Sequence, residues 1–285
     1  MEAAVPELGI TFLGTAAASL SRSSNTSAQL VRAGDSRMLV DCGTNAARQL
    51  SLSPSELTEL TAVVLTHWHP DHVSGLPTLL RRTETRKRAE SLAVYGPAPP
   101  RGVWRAVRAA SRTRLLAHLH PIEPGDAIEL PGFRFTAIAT DHAIPSVGWE
   151  IAETGPPGRR VVLSGDTRPV AGIAEAARGA DLLVHEATFI TRDRAKAHTS
   201  GHSTALEAAE LAAEAGVGAL ALTHLPDRYE RGQIMREAEA AYTPILVPHD
   251  LDRLEIEPAA KPVAPERGVG WASIRIEQSS SMLKV

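Results

Sequence analysis

Five short apolar runs in this chain each end on a residue that can bind or orient a metal ion. Asp41 follows RMLV, His67 follows AVVLT, His142 follows FTAIATD, Asp166 follows VVLSG, and His224 follows ALALT. The runs are of buried-strand type and several are rich in β-branched residues. One aspartate just past a strand is an ordinary turn or cap residue. Five such positions together require strand ends that converge on one edge of a sheet core, where loops carry chemistry.

The rest of the chain fits that requirement. ITFLG, AQLVRA and LAVYGP read as further strands in the first part, and AIEL, VGWEIAE, DLLVHEA and PILVPHD in the second. AGIAEAARGA and TALEAAELAAEAG read as helices, the latter closed by Gly216. Both halves run from strands to alternating strands and helices, which predicts a layered α/β architecture. We expect one domain over residues 1–257. Residues 258–285 break the pattern: PAAKPVAPERG reads as a linker and WASIRIEQ as one more strand before a frayed tail.

Composition narrows the class. With 285 residues, 43% of them hydrophobic, the chain can bury one large core or two compact halves. MEAAVPELGITFLG carries an acid where a signal peptide would be basic, and no apolar run approaches the ~18 residues of a membrane span, so we expect a cytoplasmic protein without membrane contact. Cys42 is the only cysteine, which excludes an intramolecular disulfide and a thiolate metal cluster. Its place after MLV predicts buried packing.

The formal charge of −3 is unevenly spread. Ten basic residues between Arg81 and Arg114 face only Glu84 and Glu90, a local +8 that leaves −11 for the remainder. Val103, Trp104, Val107 and Ala110 recur at helical spacing and place the nearby arginines outside, as on any solvated helical face. The sharper reading is a phosphate-attracting patch, which matters only beside a reactive centre.

LTHWHPDHVSGLP, residues 65–77, supplies such a centre. In an extended turn His67 and His69 face the same way and grip one ion, while Asp71 and His72 are offered to a second. Imidazole and carboxylate without thiolate suit Zn²⁺, ahead of Mn²⁺ or Fe²⁺.

The H-x-H-x-D-H run after a strand resembles the signature of the metallo-β-lactamase fold superfamily. That resemblance implies a four-layer αββα sandwich with two pseudo-symmetric halves and two zinc ions, Mn²⁺ being the other candidate. His67, His69 and His142 would hold one ion, Asp71, His72 and His224 the other, with Asp166 bridging and Asp41 orienting ligands from behind. Asp166 stands where a true β-lactamase has cysteine, and His69 where a di-iron electron-transfer protein has glutamate.

VHEATF and GHSTALEAA resemble the HEAT and HST motifs of ribonuclease Z, which removes 3′ trailers from precursor tRNA; DHAIPSVGWEI, VYGP and FLGT match as well, so the likeness covers residues 9–257. It implies a phosphodiesterase acting on RNA, in which a hydroxide bridging the ions attacks phosphorus, and a homodimer. Thr204-Ala-Leu-Glu207 has capping-box spacing, so a helix should begin just past His202 and offer its N-terminus to an anion. Asp71 would orient the hydroxide or take its proton, and His202, supported by Glu186, would protonate the departing oxygen. Asn25, Ser203 and the basic Arg86, Lys87 and Arg88 would meet phosphate or RNA, while His185 reads as structural.

Two stretches depart from ribonuclease Z. Only 24 positions separate His142 from Asp166, too few for the long arm with which that family clamps tRNA, and AASLSRSSNTS replaces its proline- and lysine-containing loop. A second reading is therefore a compact pocket for a cyclic nucleotide or other small phosphodiester, and a third keeps the zinc site for a lactone or thioester. A non-catalytic binding module is disfavoured, because such modules commonly lose ligands and all seven stand here.

Overall fold

Strands β1 (Leu8–Gly14) and β2 (Ala28–Ala33) are buried along their whole lengths, because each has a covered layer on both faces. Leu8, Ile10 and Phe12 of β1 enter one core while Leu13 enters another, the period-2 alternation of a strand between two apolar layers. The structure, a computed structural model, describes residues 7–18, 21, 23–53, 59–85, 91–113, 117–257 and 274–277.

Beyond β2 the first sheet adds β3 (Ser36–Val40), β4 (Ala62–Val64), β5 (Ala93–Gly96) and β6 (His118–Pro121). The second sheet is built from β7 (Ala127–Leu130), β8 (Phe133–Ala139), β9 (Val147–Glu153), β10 (Arg160–Leu163), β11 (Leu182–Glu186), β12 (Ala219–Thr223) and β13 (Ile245–Leu246). The chain then returns to the first sheet with β14 (Arg253–Ile256) and β15 (Ile274–Glu277). Among the described residues the sheets run β15-β14-β1-β2-β3-β4-β5-β6 and β13-β12-β11-β10-β9-β8-β7. Their facing sides share one core containing Phe12, Val64, Phe133, Phe135 and Trp149.

Helices close both outer faces, which completes the expected four layers. α1 (Ala46–Leu52), α3 (Leu76–Thr85) and α4 (Val103–Ser111) cover the first sheet, and α5 (Ala171–Ala177), α7 (Ala205–Ala215) and α8 (Arg231–Glu239) the second. Two further helices, α2 (Pro70–Val73) and α6 (Arg194–Ser200), belong to the loops that carry ligands and their supports.

Strand direction delivers those ligands to one edge. β3 and β4 are parallel, so Asp41 and His67 leave the first sheet at the same side. β10, β11 and β12 are mutually parallel, and β8 runs with them because β9 is antiparallel to both neighbours; His142, Asp166, Glu186 and His224 therefore emerge together. Val147 N donates to Thr66 O at 2.9 Å, and Trp149 Nε1 to Leu65 O at 3.3 Å. These two bonds tie the sheets together beneath that edge.

β6, β14 and five of the helices, α1, α2, α3, α6 and α8, lie where sequence reading placed none, α2 standing where an extended turn was expected. WASIRIEQ contributes β15, antiparallel to β14, while the linker at 258–268 lies outside the described residues. β9 and β10 are joined by the six residues 154–159, so the tight connection expected between His142 and Asp166 is what the fold contains.

Candidate metal centre

Backbone conformation at two strand ends is set for the site. Asp41 and His224 both have left-handed φ, 57° and 58°, which turns each side chain back over the sheet edge. Aspartate and histidine tolerate this region better than most residues, and such strain collects at functional sites. His69 caps α2 and Pro70 sits at its first turn, so Asp71 and His72 are presented on a short rigid helix immediately behind the His67–His69 pair.

Two groups of ligand atoms result. His69 Nδ1 lies 2.9 Å from His67 Nε2 and 3.1 Å from His142 Nε2. In the second group His224 Nε2 lies 3.2 Å from Asp71 Oδ2 and 3.4 Å from His72 Nε2. Asp166 Oδ2 stands between the groups, 3.7 Å from His67 Nε2 and 3.4 Å from both His72 Nε2 and His224 Nε2. All seven candidate ligands thus meet in one place.

The outward nitrogens of His67, His72, His142 and His224 are already bonded. His72 Nδ1 donates to Asp41 Oδ2 at 2.6 Å, and Asp41 also accepts from Thr66 N and the Thr66 hydroxyl. His142 Nδ1 donates to Gly201 O at 2.7 Å, and His224 Nδ1 to the Thr188 hydroxyl at 2.8 Å. His67 Nδ1 lies 3.0 Å from the Thr66 hydroxyl. These partners fix the tautomers of those four rings and leave unshared pairs pointed at one another, an arrangement that repels unless a cation sits between them.

Electrostatics agree with that fit. Burial, reinforced by His72, holds His67 well below the usual imidazole range, and burial with neighbouring His142 lowers His69; both stay neutral and able to ligate. Burial acts the same way on His72, but Asp166 and Asp41 outweigh it and raise its pKa well above the ordinary value. The pocket therefore favours positive charge. A donor set of imidazole and carboxylate with no sulfur fits a borderline divalent metal.

Beside the ligands stands a second constellation. His202 Nδ1 donates to Glu186 Oε1 at 2.8 Å and lies 3.9 Å from Asp166 Oδ2. The other Glu186 oxygen accepts the Thr188 hydroxyl at 2.5 Å, so one buried carboxylate holds His202 directly and His224 through Thr188. Burial opposes protonation of His202, yet Glu186 overcomes it and pushes the pKa up to about 9. His202 keeps part of its surface open, whereas Glu186 is buried. Thr204 begins α7 with both halves of a capping box to Glu207, as the spacing predicted.

Other expected contacts fall elsewhere. Asn25 donates its backbone and side-chain N–H groups to Asp250 Oδ2 and accepts from Asn45 Nδ2. Ser203 is fully buried and its hydroxyl donates to Thr167 O. Both side chains already have protein partners, so phosphate contact is not their visible role. Arg86, Lys87 and Arg88 lie outside the described residues. His185 is buried on the helix side of β11 with Nδ1 on Glu186 O and, among the described residues, no partner for its Nε2, a packing position. Sequence reading assigned no part to Thr188, Thr66 or Gly201. Thr188 is visible as the fourth residue of HEAT-F, two positions past Glu186.

Residues 36–225 match the family described as beta-lactamase superfamily domain. A ribonuclease Z from Methanosarcina acetivorans is 32% identical over 299 residues, covering 87% of this chain and 98% of that protein. Because 87% of this chain is about 248 residues, about 50 aligned positions have no counterpart here. The crystal structure of the short form of human tRNase Z is similar with a TM-score of 0.71 and 29% identity, covering 86% of this chain and 98% of that one. The metallo-beta-lactamase fold protein YhfI from Bacillus subtilis shares the fold, with a TM-score of 0.77 at 23% identity over 88% of this chain and 100% of its own.

Proposed function

Because the chain belongs to the metallo-β-lactamase superfamily and, within it, to the ribonuclease Z family, we propose that it cleaves an RNA phosphodiester with two zinc ions, its substrate being the 3′ trailer of a precursor tRNA. It is a metal-dependent hydrolase of the ribonuclease Z type with a divalent-metal site. The observation that carries the two-ion reading is Asp166 Oδ2, held 3.4 to 3.7 Å from His67, His72 and His224. An oxygen so placed suits a carboxylate shared between two cations.

His67, His69 and His142 would hold one ion, Asp71, His72 and His224 the other, and Asp166 both. When bound, the ions supply hydroxide near neutral pH and positive charge against the phosphate oxygens. The chain's own groups do the rest. Asp41, Gly201 O and Thr188 lock the ring orientations, so the site needs little rearrangement. Asp71, the more exposed carboxylate, orients the attacking oxygen or takes its proton. His202, charged and held by Glu186, donates a proton to the departing oxygen, help worth ~10²–10⁴-fold.

A homodimer and a cytoplasmic place, where precursor tRNA is met, accompany this reading; among the described residues no helix is long and apolar enough to cross a membrane. The missing aligned positions and the tight β9–β10 turn favour a second reading, a small phosphodiester such as a cyclic nucleotide. The deciding experiment gives zinc-loaded protein a 3′-extended precursor tRNA and a cyclic nucleotide in one tube, with His202→Ala as control. Trailer removal with the cyclic nucleotide intact supports RNA processing; the reverse result replaces it.

A further inference from the structure

Helix α4 carries Arg105 and Arg108, with Arg101 in the turn before it and Arg112 at its C-cap. At about 100° per residue, positions 105, 108 and 112 fall within about 60° of arc, adjoining Trp104. Arg101, Arg105 and Arg112 are exposed, while Arg108 is half-buried and donates to Ala117 O at 2.8 Å. From Ser91 to Ile122 the sequence has no aspartate or glutamate. Among the described residues Arg101, Arg105, Arg108 and Arg112 make no ion pair. An ordinary solvated helix mixes signs at (i, i+4), and this one does not.

The flank is also joined to the reactive centre. Trp104 meets Trp68 edge-on with ring centroids 6.3 Å apart, and Trp68 lies in the chain between the ligands His67 and His69. Trp68 Nε1 donates to Pro97 O at 2.6 Å. Pro97 and Ala98, which lead into α4, line an open hollow of about 630 Å³ together with His142 and Ile144. Pockets of ~300–1,000 Å³ hold ligands of nucleotide size.

We propose that the arginine flank of α4 is an RNA backbone-binding surface, from which a strand passes through the hollow beside His142 to the metal centre. The proposal rests on the phosphodiesterase reading for the chemistry, but its binding claim is independent of turnover. Guanidinium groups neutralise phosphates and release counterions, and a stripe next to the metal loop places that attraction where a scissile phosphate must arrive. The surface thereby stands in for positions that the archaeal relative has and this chain lacks.

The test uses the full zinc-loaded chain and a variant, Arg101→Ser with Arg105→Ser and Arg112→Ser, leaving the bonded Arg108 in place. Binding of a precursor tRNA is measured from about 50 to 200 mM salt, alongside hydrolysis of bis(p-nitrophenyl) phosphate as a readout of the metal centre alone. We expect the log–log salt slope to become shallower by ~2 to 3, at ~0.7–0.9 per lost phosphate contact. KM for RNA should rise at least about tenfold with kcat and small-substrate hydrolysis unchanged, and an Arg→Lys triple variant should keep the slope. An unchanged slope and KM in the serine variant overturns the proposal, as does a wild-type chain that does not bind RNA. Wild-type binding that the variant weakens, with no RNA cleavage by either, upholds the surface and overturns the ribonuclease reading instead.

Discussion

His202 Nδ1 and Glu186 Oε1 are 2.8 Å apart, and the imidazole is thereby left with Nε2 as its only nitrogen without a protein partner among the described residues. A group so held is poised to give a proton outward. His202→Ala should keep its metal and lose ~10²–10³-fold in kcat, read by metal analysis beside single-turnover cleavage. Asp166→Ala, by contrast, should lose metal and rate together. A His202→Ala rate equal to wild type removes the acid role.

The same pair sets a pH dependence. Glu186 overcomes burial to hold His202 up to about 9, so the acid form persists through neutral pH and is lost as pH rises past that value. Replacing Glu186 by glutamine removes the charge that raises it. The alkaline fall in kcat should then move to lower pH, with the direction of the shift as the observable. For stability the sign is the same: a raised histidine pKa contributes fully below its unfolded value of 6.5 and fades as pH climbs through the folded one.

Asp41 touches no candidate site for substrate but fixes the tautomer of His72 at 2.6 Å. Asp41→Ala should weaken the metal bound by His72 by ~10–100-fold while the protein stays folded. Zinc competition against a chromophoric chelator measures this. An unchanged affinity returns Asp41 to a loop-bracing role through Thr66 alone.

Gly201 has φ 85°, and a Cβ there would sit 2.8 Å from His142 Nδ1. Gly201→Ala should displace the His142 ring and cost metal affinity in the set shared with His67 and His69, more than its loop position suggests. The zinc competition assay should show loss in this variant, and retention of wild-type affinity argues that the loop yields.

The α7 capping box offers a prediction away from the metals. Thr204→Ala should destabilise by ~1 kcal/mol in urea unfolding. Burial alone raises the Glu207 pKa, but the Thr204 backbone and hydroxyl bonds and His198 lower it overall. Its contribution is therefore present above pH 4.5 and disappears as pH falls through the lower folded value, so the Thr204→Ala penalty should shrink in acid.

The strands that carry ligands were readable because each is an apolar run with a polar residue at its end, and burial on both faces demands such a run. β6 was not, since His118-Leu119-His120-Pro121 lies at an exposed sheet edge and needs no apolar alternation. α1 and α3 escaped for a related reason: Ala46–Leu52 is only seven residues long and Leu76–Thr85 keeps its leucines in its first half, so neither shows a sustained helical period and tertiary packing decides their state. At the site, the seven ligand types announced themselves through H-x-H-x-D-H and the later histidines and aspartate. Their supports did not. Gly201 acts through a carbonyl that every residue owns, and Thr188 through a hydroxyl whose partners lie 2 and 36 positions away.

Each ligand group draws on both sheets: His67 and His69 join His142 and Asp166, and Asp71 and His72 join His224. A cation bound at either place is therefore a rivet between the two halves of the chain, and its binding energy is part of the energy that keeps them closed. In a metal-starved cell the halves would part more often, proteases would reach the open form, and the enzyme's abundance would follow the metal supply before any gene responded.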